Sequence, residues 1–135
     1  MNLNQYMIIV GCGRLGALLA NRLSRAGHSI VVIDTSEDSF KRLTAEFSGF
    51  HIQRDATESA SLKEAKVEQA DVLLATTNHD NVNLMVAQVA KHIFNVPRVL
   101  ARIYDPAYAP VYEELGIEVV NPTLLSAELF MSALH

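Results

Sequence analysis

The sequence of 135 residues has no tryptophan, a single cysteine and only 7% aromatic residues. One cysteine excludes an internal disulfide bond, and a cytoplasmic setting is the default expectation for such a chain. With so few aromatic rings, the core is expected to be aliphatic. No apolar run approaches the roughly 20 residues that cross a bilayer. Residues 1–6 carry no basic segment, so the sequence predicts no signal peptide.

Positive charge is also scarce, since 11 Lys and Arg against 15 Asp and Glu give a net charge of −4. No basic cluster indicates a nucleic-acid surface. The five histidines and Cys12 show none of the spacings typical of metal sites, so no metal ligand is predicted. Hydrophobic residues make up 50% of the chain, enough to bury a core, and no Ser- or Gly-rich spacer divides it. We therefore predict one domain over residues 1–135.

Short apolar runs alternate with segments whose apolar residues recur at helical spacing. The run at residues 7–10 stops at Gly11, and the run at residues 30–33 stops at Asp34. Continuous apolar strands indicate burial on both faces, and their alternation with helices predicts a parallel sheet. Strands are predicted at 7–10, 30–33, 50–53, 72–75, 99–103 and 118–120, and one of the helical stripes at Phe40, Leu43 and Phe47. The predicted fold class is α/β, a Rossmann-like, doubly wound six-stranded parallel sheet in a single domain.

The loop after the first predicted strand carries a phosphate-binding pattern. Residues 11–16 read Gly-Cys-Gly-Arg-Leu-Gly, a G-x-G-x-x-G motif between a strand and a helix. Gly11 allows the tight turn, Gly13 lets the backbone approach a phosphate, and Gly16 lets the helix pack closely on the strand. Free amides and the helix dipole favour an anion there. The alternative is a glycine cluster that packs the helix and binds no ligand.

An acidic residue stands where a nucleotide ribose would lie. Asp34 ends the second predicted strand, 18 residues after Gly16. A carboxylate in this position accepts hydrogen bonds from both ribose hydroxyl groups, and it repels a phosphate on the ribose 2′ carbon. Asp34 therefore predicts an adenine nucleotide ligand and disfavours NADP.

Polar residues also follow the other predicted strands, at the sheet edge where open α/β folds bind ligands. Asp55 either contacts the adenine or ribose or caps the next helix. Four polar residues lie in the next turn: Thr76, Asn78, Asp80 and Asn81. One of them is expected to cap the next helix, and the others to reach a phosphate or the second half of a dinucleotide. Arg102 either pairs with Asp55 or Asp105 or binds a terminal phosphate.

Two residues of the glycine loop leave alternatives open. Arg14 begins the first predicted helix, where a cation opposes the helix dipole; either a bound phosphate relieves this conflict or the side chain faces solvent. Cys12 lies near the helix N-terminus, which would lower its pKa and favour a redox-sensing thiol. The alternative for Cys12 is a small space-filling side chain, the usual behaviour of a free cysteine.

Six segments of the chain match motifs of one known family. They are IIVGCGRLG (8–16), LSRAGHSIVVID (23–34), RDATES (54–59), ADVLLATTNHDNVNLMVA (70–87), VPRVLARIYDP (96–106) and LGIEVVNP (115–122). The chain resembles the N-terminal domain of the TrkA/KtrA type, also called the RCK domain (regulator of conductance of potassium). The D-A-T element at 55–57 and the Asn83-Leu84 pair separate this family from ordinary dehydrogenases. Arg54 departs from the family, which usually has glycine there.

The resemblance implies a regulatory nucleotide-binding domain that controls a potassium channel or transporter through ligand-dependent conformational change, and not an enzyme. It implies NAD(H), ATP, ADP or AMP as the ligand and a homodimer or ring-like oligomer, with residues 117–134 resembling the segment that pairs subunits. An integral membrane cation channel or transporter is the implied partner, so the location is cytoplasmic, at the inner face of the plasma membrane. The alternative is a small NAD-dependent oxidoreductase, but the six β-α units leave no second domain to hold a substrate.

The resemblance also places the ligand. It assigns Arg14 to a terminal phosphate, Asp34 to the ribose and residues 55–56 to the adenine side. It assigns the phosphate end to the turn after the fourth strand together with Arg102. The residues predicted to bind the cofactor are Gly11, Cys12, Gly13, Arg14, Leu15, Gly16, Asp34, Thr35, Asp55, Ala56, Thr76, Thr77, Asn78 and Arg102. No catalytic residue is predicted.

Overall fold

A computed structural model gives the structure of residues 4–135. The remaining residues, 1–3, belong to the predicted domain and to the segment considered for a signal peptide, and they lie outside the described part. The strands are β1 Tyr6–Val10, β2 Ser29–Asp34, β3 Phe50–Gln53, β4 Val72–Ala75, β5 Arg98–Arg102 and β6 Glu118–Val120. The α-helices are α1 Arg14–Arg25, α2 Ser59–Glu64, α3 Asp80–Gln88, α4 Ala109–Glu114 and α5 Pro122–Leu134.

All the strands belong to one parallel sheet with the order β3-β2-β1-β4-β5-β6. Strand β1 lies in the middle, with Ile8 opposite Val31 of β2 and Leu73 of β4. The chain adds β2 and β3 on one side of β1 and then β4 to β6 on the other side. The strand order therefore reverses between β1 and β4. In open α/β sheets, this reversal leaves a crevice outside the carboxyl ends of the strands. The predicted Rossmann-like fold is confirmed.

The core forms on both faces of the sheet. Along β1, Ile8 and Val10 pack into one cluster of buried side chains, while Met7 and Ile9 pack into the cluster on the opposite face. Successive side chains of a strand point to opposite faces. Burial on both sides therefore explains why the strand sequences are continuously apolar.

The segment between β2 and β3 differs from its prediction. The apolar spacing of Phe40 and the residues after it predicted a full helix, but the structure has only a 3-10 helix at Glu37–Arg42. The side chain of Asn21 on α1 replaces the missing helical hydrogen bonds. Its amide donates to the Arg42 carbonyl, and its carbonyl oxygen accepts from the Thr44 amide. Tertiary contacts with α1 therefore end this helix early.

Two helix N-termini agree with the sequence. Asp105 accepts a hydrogen bond from the Ala107 amide at 3.0 Å before the 3-10 helix Pro106–Tyr108, and Asn121 accepts one from the Leu124 amide at 3.0 Å before α5. In each case a proline takes the first helical position, where its missing N–H costs nothing. Among the helices of residues 4–135, none is long and apolar enough to cross a membrane.

The first helix lies unusually close to the first strand. A Cβ atom placed on Gly16 would lie 1.9 Å from the carbonyl oxygen of Gly11. Gly11 itself has a φ of +103°, in the region that favours glycine. Gly11 and Gly16 of the motif are thus required by backbone geometry, as predicted.

Replacing Gly16 by alanine is expected to lower the free energy of unfolding by at least about 2 kcal/mol, because the new methyl group overlaps a backbone atom. Urea denaturation followed by circular dichroism measures the change. Gly13→Ala is the matched control, since a Cβ there meets no atom within 4 Å. The control is expected to stay within about 1 kcal/mol of the parent. Equal losses in the two variants would contradict the close approach at Gly16.

Candidate functional site

A cavity of about 630 Å³ lies at the carboxyl edge of the sheet, where the strand order reverses. Its wall is formed by the ends of β1 to β4 and the turns that follow them. The lining residues are Val10, Gly11, Gly13, Ile33, Asp34, Thr35, Ser39, Arg42, Arg54, Asp55, Ala56, Thr57, Thr76, Thr77, Asn78, His79 and Val82.

The glycine loop is held by hydrogen bonds where it leaves β1, and it is open at Gly13, where α1 begins. The Gly11 amide donates to the Ile33 carbonyl at 2.8 Å, and the Thr76 hydroxyl donates to the Val10 carbonyl at 3.0 Å. Gly13 is the N-cap residue of α1 and supplies no side chain to the first-turn amides. An added Cβ at Gly13 would meet open space. Backbone amides at a helix N-terminus that face an open cavity form a phosphate site.

Asp34 holds this loop in place. Its Oδ2 atom accepts a hydrogen bond from the Cys12 amide at 2.7 Å, and its Oδ1 atom accepts one from the Ser36 amide at 2.8 Å. The sequence predicted only a ribose contact for this carboxylate. Each carboxylate oxygen has a second lone pair, so Asp34 retains the capacity to accept a ribose hydroxyl. The same side chain therefore shapes the glycine loop and faces the cavity.

Cys12 is fully buried beneath the loop. Its thiol lies 3.5 Å from the Ser39 carbonyl oxygen, to which it donates a weak hydrogen bond. Burial, followed by the charge of Asp34, raises the pKa of the thiol to about 11. The alternative of a redox-sensing thiol with a lowered pKa is therefore disfavoured, because burial and the Asp34 carboxylate both oppose the thiolate. Cys12 fills space, the second alternative.

On the opposite side of the cavity, Asp55 organises the turn after β3. Its Oδ1 atom accepts hydrogen bonds from the amide of Thr57 at 2.9 Å and from its hydroxyl at 2.6 Å. These bonds lower the pKa of Asp55, so the carboxylate stays ionised. Glu58, and not Asp55, is the N-cap residue of α2. Asp55 thus shapes the wall beside Ala56 and remains exposed to a ligand.

Asn83 anchors the turn between β4 and α3. This side chain has no exposed surface. Its Oδ1 atom accepts from the amide and the hydroxyl of Thr77, at 3.0 and 2.6 Å. Its Nδ2 atom donates to the carbonyls of Thr77 and Arg102, at 3.1 and 2.8 Å. All hydrogen-bonding positions of a buried amide are filled, which fixes Thr77 on the cavity wall.

Arg102 also holds the turn between β4 and α3 in place. Its Nη2 atom donates to the Thr76 carbonyl at 2.6 Å, the Thr77 carbonyl at 3.0 Å and Oδ1 of Asn78 at 2.9 Å. The guanidinium lies over the Tyr104 ring, 5.1 Å from its centre. Within residues 4–135, Arg102 forms no ion pair. Arg102 is thus outside the cavity wall and positions the turn that forms it.

Within residues 4–135, Arg102 pairs with neither Asp55 nor Asp105, the first alternative given for it, because the oxygens of the β4–α3 turn hold its Nη2 atom. The expected N-cap of α3 also differs, because His79 takes that place without a side-chain hydrogen bond. Asp80 instead accepts from the amides of Tyr104 and Asp105, both at 2.9 Å. This carboxylate ties the β4–α3 turn to the segment after β5.

The structure brings most of the predicted cofactor-binding residues together. The predicted residues on the cavity wall are Gly11, Gly13, Asp34, Thr35, Asp55, Ala56, Thr76, Thr77 and Asn78. The others, Cys12, Arg14, Leu15, Gly16 and Arg102, are not on the wall. Arg14 is exposed at the start of α1, and both alternatives given for it stay open. A ligand role for any of these residues stays a prediction.

Sequence reasoning missed several lining residues: Ser39, Arg42, Arg54, Thr57 and His79. Arg54 and Thr57 are next to predicted positions, so widening the motif would have found them. Ser39 and Arg42 come from the 3-10 helix after β2, and no local pattern shows that this helix meets the glycine loop. Within residues 4–135, no group of His, Cys, Asp or Glu is arranged to hold a metal ion.

Known proteins of similar sequence are potassium uptake proteins. The sequence pattern of the TrkA-N domain matches residues 7–122. The Trk system potassium uptake protein TrkA of Streptomyces coelicolor is 39% identical over 129 residues, which cover 96% of this chain and 58% of that protein. The chain spans about half the length of the curated relatives that it matches.

Solved structures of similar fold include a domain of an inner membrane protein and a channel. The TrkA-N domain of the inner membrane protein ybaL from Escherichia coli has a TM-score of 0.85 at 23% identity, with 100% of both chains covered. The Shewanella denitrificans Kef CTD in its AMP-bound form has a TM-score of 0.79 at 25% identity, covering 96% of this chain and 79% of that one. The GsuK channel bound to NAD has a TM-score of 0.71 at 20% identity, covering 88% and 22%.

These similarities confirm the predicted resemblance. The family pattern spans β1 to the start of α5, and it includes the glycine loop, Asp34 and the Asn83 anchor whose geometry is given above. The chain belongs to the TrkA-N domain family.

Proposed function

We propose that this chain is a regulatory domain that binds an adenine nucleotide and controls a potassium channel or transporter. The observation that carries the proposal is the cavity at the strand reversal, where the uncapped N-terminus of α1 at Gly13 and the Asp34 carboxylate lie side by side. This pair of groups recognises the phosphate and ribose of a nucleotide. The potassium uptake relatives support the transport role.

The ligand is NAD(H), ATP, ADP or AMP. Asp34 and the glycine loop are expected to contact the ribose and phosphate that all these molecules share, so these two groups do not choose among them. The AMP in the Kef CTD and the NAD in the GsuK channel support both a mononucleotide and a dinucleotide. Titration calorimetry of this chain with each nucleotide tests the proposal. The proposal would be contradicted if, at millimolar concentration, no nucleotide gave a heat of binding and none competed with another for the site.

The domain acts by binding and not by catalysis. The carboxylates on the cavity wall, Asp34 and Asp55, are engaged by backbone amides, and the pKa of Asp55 is lowered, which makes it a poor proton donor or acceptor near neutral pH. His79 is the histidine on the wall, and it lies exposed at the start of α3.

Regulation requires that the ligand favour one arrangement of the domain over another. The β4–α3 turn is suited to this role because it forms a wall of the cavity and is joined to the segment after β5. Asn83 bonds the turn to Arg102, and Asp80 bonds it to the amides of Tyr104 and Asp105. A nucleotide that contacts Thr77 would therefore act on α4, because Tyr112 of that helix donates its hydroxyl to the Asp80 carbonyl at 2.8 Å.

We propose that α5 pairs with a second copy of the chain. None of its residues is buried, although the helix is rich in leucine, with Leu129 71% and Phe130 72% exposed. A helix that is apolar on all sides is normally covered. The same segment resembles the subunit-pairing segment of the family. A homodimer, or a ring of dimers at the cytoplasmic face of a membrane partner, provides that cover.

Asp34→Ala is expected to weaken the binding of AMP and NAD at least about tenfold, because a charged hydrogen-bond acceptor is lost and the Cys12 amide is released. Calorimetry measures the dissociation constants, and urea denaturation checks that the variant is folded. Asp38→Ala is the control, since this exposed carboxylate pairs with Lys41 and lies off the cavity wall. An unchanged affinity in Asp34→Ala would refute the ribose assignment.

Arg14→Ala is expected to weaken ATP binding at least about threefold more than AMP binding, because only ATP carries phosphates that extend to the start of α1. The measurement is a pair of titrations on the same protein. Arg22→Ala, at the exposed last turn of α1, serves as the control for a lost positive charge. Equal losses for the two nucleotides would remove Arg14 from any terminal-phosphate role.

Phe130→Glu is expected to raise the dimer dissociation constant at least about thirtyfold, roughly 2 kcal/mol, since a buried aromatic contact becomes a buried charge. Light scattering across a concentration series measures the association. Thr123→Glu is the control, because a carboxylate in the first turn of α5 adds the same charge where the helix dipole tolerates it. A parent chain that stays monomeric at every concentration would contradict the pairing.

A further inference from the structure

We propose that Arg42 is an anion-binding residue on the ribose side of the cavity, and that it admits adenine nucleotides with a phosphate on the ribose 2′ carbon. The inference rests on the proposed function and names the ligand class more closely. It replaces the expectation drawn from Asp34 alone, which disfavoured such nucleotides.

Arg42 and Asp34 act on the same residue of the glycine loop. The carboxylate of Asp34 accepts the Cys12 amide at 2.7 Å, and Nη1 of Arg42 lies 3.5 Å from the Cys12 carbonyl oxygen. Both charges affect the Cys12 thiol, since Asp34 raises its pKa and Arg42 lowers it. Both side chains line the cavity. A cation therefore stands close to the carboxylate that is expected to bind the ribose.

Arg42 has bonding capacity left for a ligand. Within residues 4–135 it forms no ion pair, whereas Arg54, the other arginine on the wall, pairs with Glu64 at 3.2 Å. The contact of Arg42 with the Cys12 carbonyl is longer than the usual 2.7–3.2 Å of an N–H···O bond. A guanidinium has five N–H donors in a planar fork that matches a phosphate. Most donors of Arg42 are thus free for an anion.

Asp34 opposes a 2′-phosphate less than an isolated carboxylate would. Its two oxygens already accept the amides of Cys12 and Ser36, and the positive ends of these amide dipoles offset part of the carboxylate's field. In dinucleotide-binding folds, an acidic residue takes the ribose hydroxyl of NAD, whereas a nearby arginine accommodates the 2′-phosphate of NADP. This chain has both groups at one edge of the cavity. The combination accepts either form of the ribose.

The experiment compares AMP with adenosine 2′,5′-bisphosphate by calorimetry on the full chain. The parent is expected to bind the bisphosphate within about threefold of AMP. Arg42→Gln is expected to weaken the bisphosphate at least about tenfold, or about 1.4 kcal/mol, while AMP binding changes less than about threefold. Lys41→Gln removes the neighbouring exposed charge and is expected to leave both affinities unchanged.

Three results would overturn the inference. The first is a parent that binds AMP but binds the bisphosphate more than about tenfold more weakly. The second is an equal loss of both ligands in Arg42→Gln, which would indicate that Arg42 only supports the glycine loop. The third is the same selective loss in Lys41→Gln, which would indicate a general charge effect. If the parent binds neither ligand, the proposed function fails as well, whereas AMP binding alone leaves that function standing.

Discussion

The hydrogen bond from the Cys12 amide to the Asp34 carboxylate, 2.7 Å long, is the contact on which the cavity depends. It joins the end of β2 to the glycine loop after β1, on one side of the strand reversal. The close packing of Gly16 against Gly11 places the start of α1 beside the same cavity, which Gly13 lines. Because the proposed ribose acceptor also shapes the proposed phosphate loop, the two halves of nucleotide recognition would depend mechanically on each other.

The far wall of the cavity is held by a different kind of contact. Asn83 is buried with every hydrogen-bonding position filled, and Arg102 supports three oxygens of the same turn. Breaking one of the Asn83 bonds leaves a buried group unpaired, so this turn is costly to distort. The turn is also tied to α4, because the Tyr112 hydroxyl donates to the Asp80 carbonyl at 2.8 Å. That property suits a domain whose ligand is proposed to act on a partner protein and not on a substrate.

The chain also carries a surface that its own fold leaves uncovered. The cluster of leucines and Phe130 on α5 stands clear of both core clusters, although its hydrophobicity equals that of a buried helix. Burying this helix against a second copy would place the subunit contact directly after β6, next to the α4 region that is joined to the cavity. The proposed ligand site and the proposed subunit contact are thus linked through a short stretch of chain.

The sequence by itself determined the α/β class, the strand positions, the glycine motif, Asp34 and the caps at Asp105 and Asn121, because each depends on local spacing. It could not determine the length of the helix after β2, since Asn21 of α1 ends it, or the high pKa of Cys12, which follows from burial under Ser39. Nor could the sequence determine where the side chains of Arg102 and Arg42 lie. Only the tertiary structure turned Arg102 away from the cavity and brought Arg42 into it, because a side chain's partners depend on which distant segments pack beside it.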